Sequence, residues 1–398
     1  MSAPTSAGRQ TDPVRVVVIG GGAFGGWVAY HLLGRGARVT LVDVWGAGHP
    51  RSSSGGATRV IRGMYGQDRV YVDMVFRAFV LWRRFERDHG VKLYHRTGCL
   101  WMFAGNDEYA RQSLPHLEAV GLRVESMPPV QVAQRYPAID VTGIESAYFE
   151  EEAGYIDARN ACRAVVDVCT ERGGVYQQAA VRPGPISNER MSHVVFEGDV
   201  SVKADHYVFA VGPWLGDLFP DLVGPHVSVT RQEYFYFGTP FGDRRFEGGR
   251  LPVWLEMGDR IFYGVPEPAG RGMKVAEDTR GPAFDPTTGD RLPTPECMHR
   301  AREHLGKRFP DMAAAPLIET HVCQYANSPD GHFLLDRHPE ARNVWLMGGG
   351  SGHAFKLAPV VGEQVAEAVL KDGDLAPQFR LSRLAEITSL HTQFRRER

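Results

Sequence analysis

The sequence predicts an α/β protein in which a parallel-sheet domain, split over three segments, is interleaved with an antiparallel-sheet (α+β) domain. Three observations predict this. Apolar, β-branched runs ending at glycines recur near the start, middle and end of the chain: VRVVVI, HYVFAV and NVWLM. Such runs read as strands buried on both faces, as in a parallel sheet. Between them aromatics alternate with polar residues, as in RQEYFYFG and RIFYGVP, the pattern of antiparallel strands with one exposed face. A length of 398 residues also exceeds what one simple core takes. The expected boundaries are 14–90, 151–225 and 320–398 for the first domain, and 91–150 with 226–319 for the second, substrate-facing one.

The elements follow in chain order. Val14 to Ile19 is a strand ending in Gly20-Gly21-Gly22, a helix runs from about Phe24 to Gly34, and Ala37 to Val42 is a second strand closed by Asp43. That is a complete βαβ unit. Val72, Val75, Phe76, Phe79 and Trp82 recur at helical spacing among charges, which predicts an amphipathic helix. RTGCLWMF suggests a hairpin. Asp157 opens a helix with Ala161, Val165 and Cys169 on one face and Gly173-Gly174 as its stop. His206 to Val211 is a strand, 266–293 is loop-heavy, and Asn343 to Met347 is a strand leading into Gly348-Gly349-Gly350-Ser351-Gly352. Val361, Val365 and Val369 then mark a final helix.

Composition excludes some partners. The formal net charge is -2, so no basic field attracts nucleic acid or anionic lipid. No run of ~18 apolar residues is present, which predicts no membrane span. The small, polar first dozen residues read as a disordered tail without the apolar core of a secretory signal. The five cysteines, Cys99, Cys162, Cys169, Cys297 and Cys323, form no CxxC pair and are odd in number. They suggest neither a disulfide framework nor a metal site, and a reducing, cytoplasmic setting is expected.

Gly20-x-Gly22-x-x-Gly25 lies between strand and helix, with Asp43 ending the next strand. In this Rossmann-like arrangement the first glycine allows a tight turn, the second lets a pyrophosphate approach the backbone, and the third lets helix and strand pack closely. The helix N-terminus presents N–H groups and partial positive charge. Asp43 suits a ribose 2′-hydroxyl and repels a 2′-phosphate, which favours FAD or NAD over NADP. The motif alone does not separate FAD from NAD.

Taken together, VVVIGGGAFGGWVAYHL, SSSGGATRVIRGMYG, VGPWL, GMKVAEDTRGPAFDPTT, CQYANSPDGHFLLDRHPE and GGGSGHAFK resemble the monomeric sarcosine oxidase and N-methyltryptophan oxidase family of D-amino-acid-oxidase-like flavoproteins. The resemblance runs nearly end to end. It implies FAD, held covalently through Cys323, with Gly20, Gly22, Gly25, Asp43, Ser53, Thr58, Gly350 and Gly352 around the cofactor. It implies that Arg62 and Lys356 clamp a substrate carboxylate, with Tyr263, Tyr325 and His353 beside the substrate. Arg59 would face the flavin ring, and Lys274 would favour electron transfer to O2. Tyr263 and Tyr325 also read as ordinary core aromatics, and Lys274 as a lysine guarding a strand edge. The family resemblance favours a monomer.

Two departures bear on specificity. Four residues beyond Lys274 the sarcosine-specific pattern has histidine, where this chain has Asp278. Ser54 and Gly55 replace a paired histidine motif. The expected function is therefore FAD-dependent oxidation, by O2, of a carboxylate-bearing secondary or N-alkyl amine, with sarcosine itself in doubt. The alternatives are a flavin-dependent amine dehydrogenase using another acceptor and a non-catalytic dinucleotide-binding sensor. An NAD-dependent dehydrogenase leaves the C-terminal glycine loop and the Cys323 motif unexplained.

Overall fold

A computed structural model describes residues 12–266 and 270–387. The expected N-terminal tail, up to residue 11, lies outside the described residues. Two large sheets organise the chain. The six-stranded sheet has the order Leu334–His338, Ala341–Gly348, His206–Phe209, Arg15–Ile19, Arg38–Asp43, Val175–Gln178. It is parallel except at its Leu334–His338 edge. The three glycine-terminated runs thus meet as neighbouring strands, and apolar side chains on both faces are buried because helices and small sheets cover them.

Helix Ala23–Gly34 packs on this sheet between helices Ala158–Glu171 and Ala358–Lys371. A Cβ at Gly362 would lie 2.6 Å from the Trp27 backbone, so only glycine permits this helix approach. Trp27 also meets Trp82 and Phe85, each at 5.1 Å between ring centres, from helix Arg69–His89. On that helix Val72, Val75, Phe79 and Trp82 are buried as expected. Phe76 is not. It is 41% exposed, because its position falls at the margin of the apolar stripe.

His31 sits in this helical layer with Nε2 donating to the Pro359 carbonyl at 2.9 Å. Burial first, then nearby Arg35, lowers its pKa from 6.5 to about 4. The unfolded chain then binds this proton more readily than the folded one. Stability is therefore lost as pH falls from 6.5 towards 4, by about 3 kcal/mol from this group. Denaturant melts should show His31→Gln losing less stability than the native protein between neutral pH and pH 4.

The eight-stranded sheet has the order Leu317–Asn327, Ser228–Phe237, Met273–Glu277, Ile261–Val265, Val253–Met257, Cys99–Phe103, Ser146–Glu150, Val124–Met127. It is antiparallel except where Cys99–Phe103 runs parallel to Val253–Met257. RTGCLWMF therefore does not form the expected hairpin. Tyr94–His95 pairs with Gly154–Asp157 in a separate three-stranded sheet, and the chain crosses at Gly98 into the large one. The sequence boundary at 320 falls within strand Leu317–Asn327, whose ladder with Ser228–Phe237 continues to Asn327.

The alternation in RQEYFYFG predicts one exposed face, and the structure differs. Residues Gln232 to Phe237 are all buried. Phe235 and Phe237 pack in a core with Leu305 of helix Pro295–Arg308, an element the strand pattern did not suggest. Tyr234 and Tyr236 point the other way, towards Cys323 and Tyr263. The polar-tipped face turns to the interior cavity between the sheets instead of to water. The stretch 266–293, expected to be loop-heavy, contains strand Met273–Glu277, and its residues 267–269 lie outside the described residues. Lys274 thus sits inside the sheet and not at a strand edge.

Candidate active site

Two joined cavities lie between the sheets. The outer one, about 390 Å³, is lined by Gly20, Gly22, Asp43, Ser53, Gly350 and Gly352, among others. Gly20 has φ +106°, and a Cβ there would lie 2.4 Å from the Ala210 carbonyl oxygen. Gly25 lies behind the cavity. A Cβ on it would sit 1.9 Å from the Gly20 carbonyl oxygen, so the helix abuts its own loop only because both residues are glycine.

Asp43 does more than sequence reasoning assigned. Its Oδ2 accepts from the Gly21 N–H at 2.8 Å, and its Oδ1 from the Trp45 and Gly46 N–H groups at 2.9 and 2.8 Å. Three of its roughly four acceptor positions hold the glycine loop in shape. Trp45 and Trp214, the latter in the VGPWL segment, meet edge to face at 4.7 Å on the cavity wall, and neither was an expected site residue.

The inner cavity, about 70 Å³, is lined by Arg59, Arg62, Tyr263, Tyr325, His353 and Lys356, with Cys323 and Asp278 also on its wall. Arg59, Tyr325, Gly352 and Phe355 line both cavities and mark the junction. Gly352 has φ +80°, and a Cβ there would stand 2.7 Å from the Tyr325 ring. The C-terminal glycine turn therefore brings backbone directly against this junction.

Strand Thr58–Ile61 and the loop after it supply Arg59 and Arg62. Arg62 is 3% exposed; its Nη1 donates to the Met64 carbonyl and its guanidinium lies over the Tyr65 and Trp101 rings at 4.6 and 5.2 Å. Burial opposes its charge, but Tyr109, Tyr65 and Glu150 outweigh it and raise its pKa. Lys356 is also buried, its Nζ donating to the His353 carbonyl at 2.9 Å and lying 5.1 Å from the Tyr65 ring centre. Burial, then Arg62, pushes its pKa well down, against the pull of Asp278 and Glu150.

Glu150 was missed by sequence reasoning. Its buried carboxylate accepts from the Gly63 and Met64 N–H groups at 2.6 and 3.2 Å and from Trp101 Nε1 at 2.6 Å. It shapes the turn that carries Arg62. No local pattern links it to Gly63, from which it is 87 positions distant.

His353 lines the inner cavity with both ring nitrogens engaged. Nε2 donates to the Gly331 carbonyl at 2.9 Å, so Nδ1 accepts from the Tyr65 hydroxyl at 3.2 Å. Burial, then Lys356, holds its pKa well below 6.5, and the ring is neutral. Arg59 donates to the Thr58 and Ser53 carbonyls at 2.8 and 2.5 Å and lies 3.6 Å from Cys323 Sγ. Ser53 Oγ donates to the Gln324 carbonyl at 3.0 Å, which ties the serine loop to the strand bearing Cys323.

Thr58 and Lys274 line neither cavity. Lys274 lies behind the inner wall, with Nζ donating to the Thr58 carbonyl at 3.3 Å and 4.5 and 5.4 Å from the Tyr234 and Tyr263 ring centres. Burial, then Arg59, lowers its pKa well below the usual lysine range. Among the described residues there is no His, Cys, Asp or Glu cluster able to hold a metal ion. No helix among them is long and apolar enough to cross a membrane.

Residues 15–368 match the family model for FAD dependent oxidoreductases of the DAO type. The chain belongs to this family. It is 30% identical over 365 residues to the monomeric sarcosine oxidase of Bacillus sp. strain B-0618, covering 89% of this chain and 92% of that one. It is 30% identical over 400 residues to the peroxisomal sarcosine oxidase of Mus musculus, covering 96% and 99%. The fold is similar to that of L-proline dehydrogenase from P. horikoshii, with TM-score 0.82 and 22% identity over 94% of this chain and 98% of that one.

As an FAD-dependent oxidoreductase, the chain has a cavity that fits its cofactor. The N-cap of helix Ala23–Gly34 is Gly22, which offers no side-chain cap, and the first turn carries no acid. Its N–H groups and positive dipole end are thus left for a pyrophosphate. The outer cavity runs from this point, past the Asp43 loop, to the Gly350–Gly352 turn at the junction.

Proposed function

We propose that this enzyme oxidises a carboxylate-bearing secondary or N-alkyl amine to an imine, with O2 as acceptor and hydrogen peroxide as product. One observation carries the reading. A buried Arg62–Lys356 pair lines a small cavity that opens into the dinucleotide cavity through Arg59, Tyr325 and Gly352. Burial and Arg62 lower the Lys356 pKa even with Asp278 and Glu150 near, so a further anion at the pair favours the charged form of the lysine. A substrate carboxylate, clamped by a planar fork and a compact ammonium, is such an anion.

When bound, FAD would supply a two-electron acceptor for the C–H bond beside nitrogen, with O2 as the proposed terminal acceptor. Arg62 and Lys356 fix the carboxylate and so orient that bond. Tyr263, Tyr325 and Phe355 shape the walls and limit water. The local positive charge of Arg59, Arg62 and Lys356 favours loss of the amine proton, and only the neutral amine has a lone pair to drive oxidation. Gly20, Gly22, Ser53, Gly350 and Gly352 would hold the cofactor, with Thr58 behind them.

Cys323 is the residue proposed to bond to the cofactor. It lies on the inner cavity wall, with Sγ 3.6 Å from Arg59 Nη2. The other four thiols line neither cavity, and burial pushes Cys162 up to about 11 and Cys169 up to about 12. All five cysteines are free thiols.

Lys274 is assigned to the oxygen step, where positive charge favours formation of an anion. Lys274→Ala should slow reoxidation in air much more than anaerobic bleaching by substrate, as read by stopped-flow absorbance. Equal loss in both would remove that role. For Lys356, a bound carboxylate raises a pKa that burial and Arg62 have lowered. Affinity for unreactive carboxylates should therefore fall as pH rises through the free-site value, with proton uptake on binding. Calorimetry in two buffers of different ionisation enthalpy measures this.

A peroxide-coupled screen of N-alkyl amino acids tests the proposal as a whole. Peroxide formation with a subset of them is the expected result. Bleaching without peroxide in air would instead make the protein a dehydrogenase with another acceptor.

A further inference from the structure

The C-terminal segment is built against the loop that orients His353. Pro377–Phe379 and Leu381–Glu386 follow helix Ala358–Lys371 and lie beyond residue 368, where the family match ends. Phe379 and Leu384 are buried, and the Leu381 N–H donates to Asp336 Oδ2 at 2.7 Å. From this anchored segment Arg383 reaches the loop at 328–333. Its Nε and Nη2 donate to the two Asp330 oxygens at 2.7 and 3.1 Å, and Nη2 also donates to the His332 carbonyl at 3.0 Å. The two charged side chains are only 13% and 14% exposed. Burial opposes the charge on Asp330, but Arg383 outweighs it and holds the carboxyl below its usual range. A planar fork on a carboxylate shielded from water fixes the loop in one geometry.

Two routes lead from this loop to the cations of the inner cavity. In the first, the Gly331 carbonyl accepts from His353 Nε2 at 2.9 Å, and the His353 carbonyl accepts from Lys356 Nζ at 2.9 Å. Phe379 supports this route: it stacks on Phe333 at 5.8 Å, and Phe333 lies 4.7 Å from the His353 ring. In the second, the Tyr71 hydroxyl is hydrogen-bonded to His332 Nδ1 at 3.0 Å, and the Tyr71 ring stacks on Tyr65 at 4.9 Å. Arg62 and Lys356 both lie over the Tyr65 ring. The routes meet where the Tyr65 hydroxyl donates to His353 Nδ1. A buried, neutral imidazole keeps one orientation only while both of its nitrogens have partners.

Resting on the proposed carboxylate clamp, we infer that Arg383 is a positioning residue for substrate recognition, holding the 328–333 loop so that His353 and Tyr65 keep Lys356 and Arg62 aimed at one carboxylate. Arg383 lines neither cavity, so it acts on the substrate only through that loop. Loss of the Asp330 contact frees the Gly331 carbonyl from His353, and the Lys356 ammonium loses its fixed place. Carboxylate binding then weakens, while a ligand that never used the clamp is unaffected.

The first test compares an N-alkyl amino acid with its primary amide on the FAD-loaded enzyme. Arg383→Gln should lower the preference for the acid in kcat/KM by tenfold or more, chiefly by raising KM for the acid, with the amide hardly changed. A loss of folded or FAD-bearing enzyme lowers both substrates alike and leaves the preference where it was. Arg383→Lys, which keeps the charge without the fork, should retain part of it. The second test uses the native enzyme, so it decides the matter even where the variants do not fold. Binding is reciprocal: if the segment positions the clamp, a ligand on the clamp steadies the segment. Saturation with pivalate, a carboxylate with no amine to oxidise, should slow amide hydrogen exchange in residues 377–386 at least threefold, with binding followed by flavin absorbance. An unchanged acid preference in Arg383→Gln, or unchanged exchange with pivalate bound, overturns the inference and leaves the clamp standing. A native enzyme that holds FAD but treats acid and amide alike, or does not bind pivalate, overturns the clamp and this inference with it.

Discussion

Arg62→Ala lowers kcat/KM for a carboxylate-bearing amine by about two to three orders of magnitude, equivalent to ~3–4 kcal/mol. The reason lies in the dry setting of the pair. Arg62 and Lys356 are 3% and 4% exposed, so removing one leaves the substrate carboxylate with a single buried cation and no water to replace the other. Arg62→Lys recovers little, because a point charge cannot reproduce the planar fork that also lies over Tyr65 and Trp101. The matched primary amide of the substrate separates this from a folding defect. The native enzyme discriminates strongly against the amide, and the variant does so weakly, since the amide never used the clamp. Steady-state kinetics on both substrates gives the answer. An undiminished preference for the acid in Arg62→Ala would remove Arg62 from carboxylate recognition.

The second large effect is all-or-none. Acid precipitation of the native protein leaves the yellow colour in the pellet, and Cys323→Ala releases it to the supernatant. The other cysteines do not change this result when replaced. Cys99 and Cys169 are enclosed thiols whose burial favours the protonated form, and Cys297 lies on helix Pro295–Arg308, away from both cavities. Colour in the supernatant from the native protein would leave FAD bound only by the cavity and end the covalent assignment.

Much of the fold was legible because its signals are local. A β-branched run followed by Gly20-x-Gly22-x-x-Gly25 states strand, turn and helix within one segment, and the structure places each where that pattern puts it. The helix bearing Val361, Val365 and Val369 is equally local. What was not legible depends on distant partners. The tyrosines of Ser228–Phe237 looked solvent-facing because alternation reports two different faces without saying what covers them. Here one face meets helix Pro295–Arg308 and the other a cavity.

The site shows the same division. Arg59, Arg62, Lys356 and the glycine turns were found through motif segments, and the structure brings them to one junction from strand Thr58–Ile61 and the turn before helix Ala358–Lys371. Glu150 was not found, although it holds the backbone from which Arg62 projects, because a lone glutamate at a strand end carries no sequence signal. Asp43 was found for its place in the motif, yet its hydrogen bonds show a carboxylate engaged first in holding the loop.

Anaerobic mixing of the FAD-loaded enzyme with an N-alkyl amino acid and, separately, with its primary amide probes the joined cavities in a single turnover. The visible flavin absorbance should bleach rapidly with the acid and slowly or not at all with the amide. A yellow protein that bleaches equally with both, or with no member of a broad N-alkyl amino acid panel, would contradict a site in which buried cations present a bound carboxylate's amine to the cofactor.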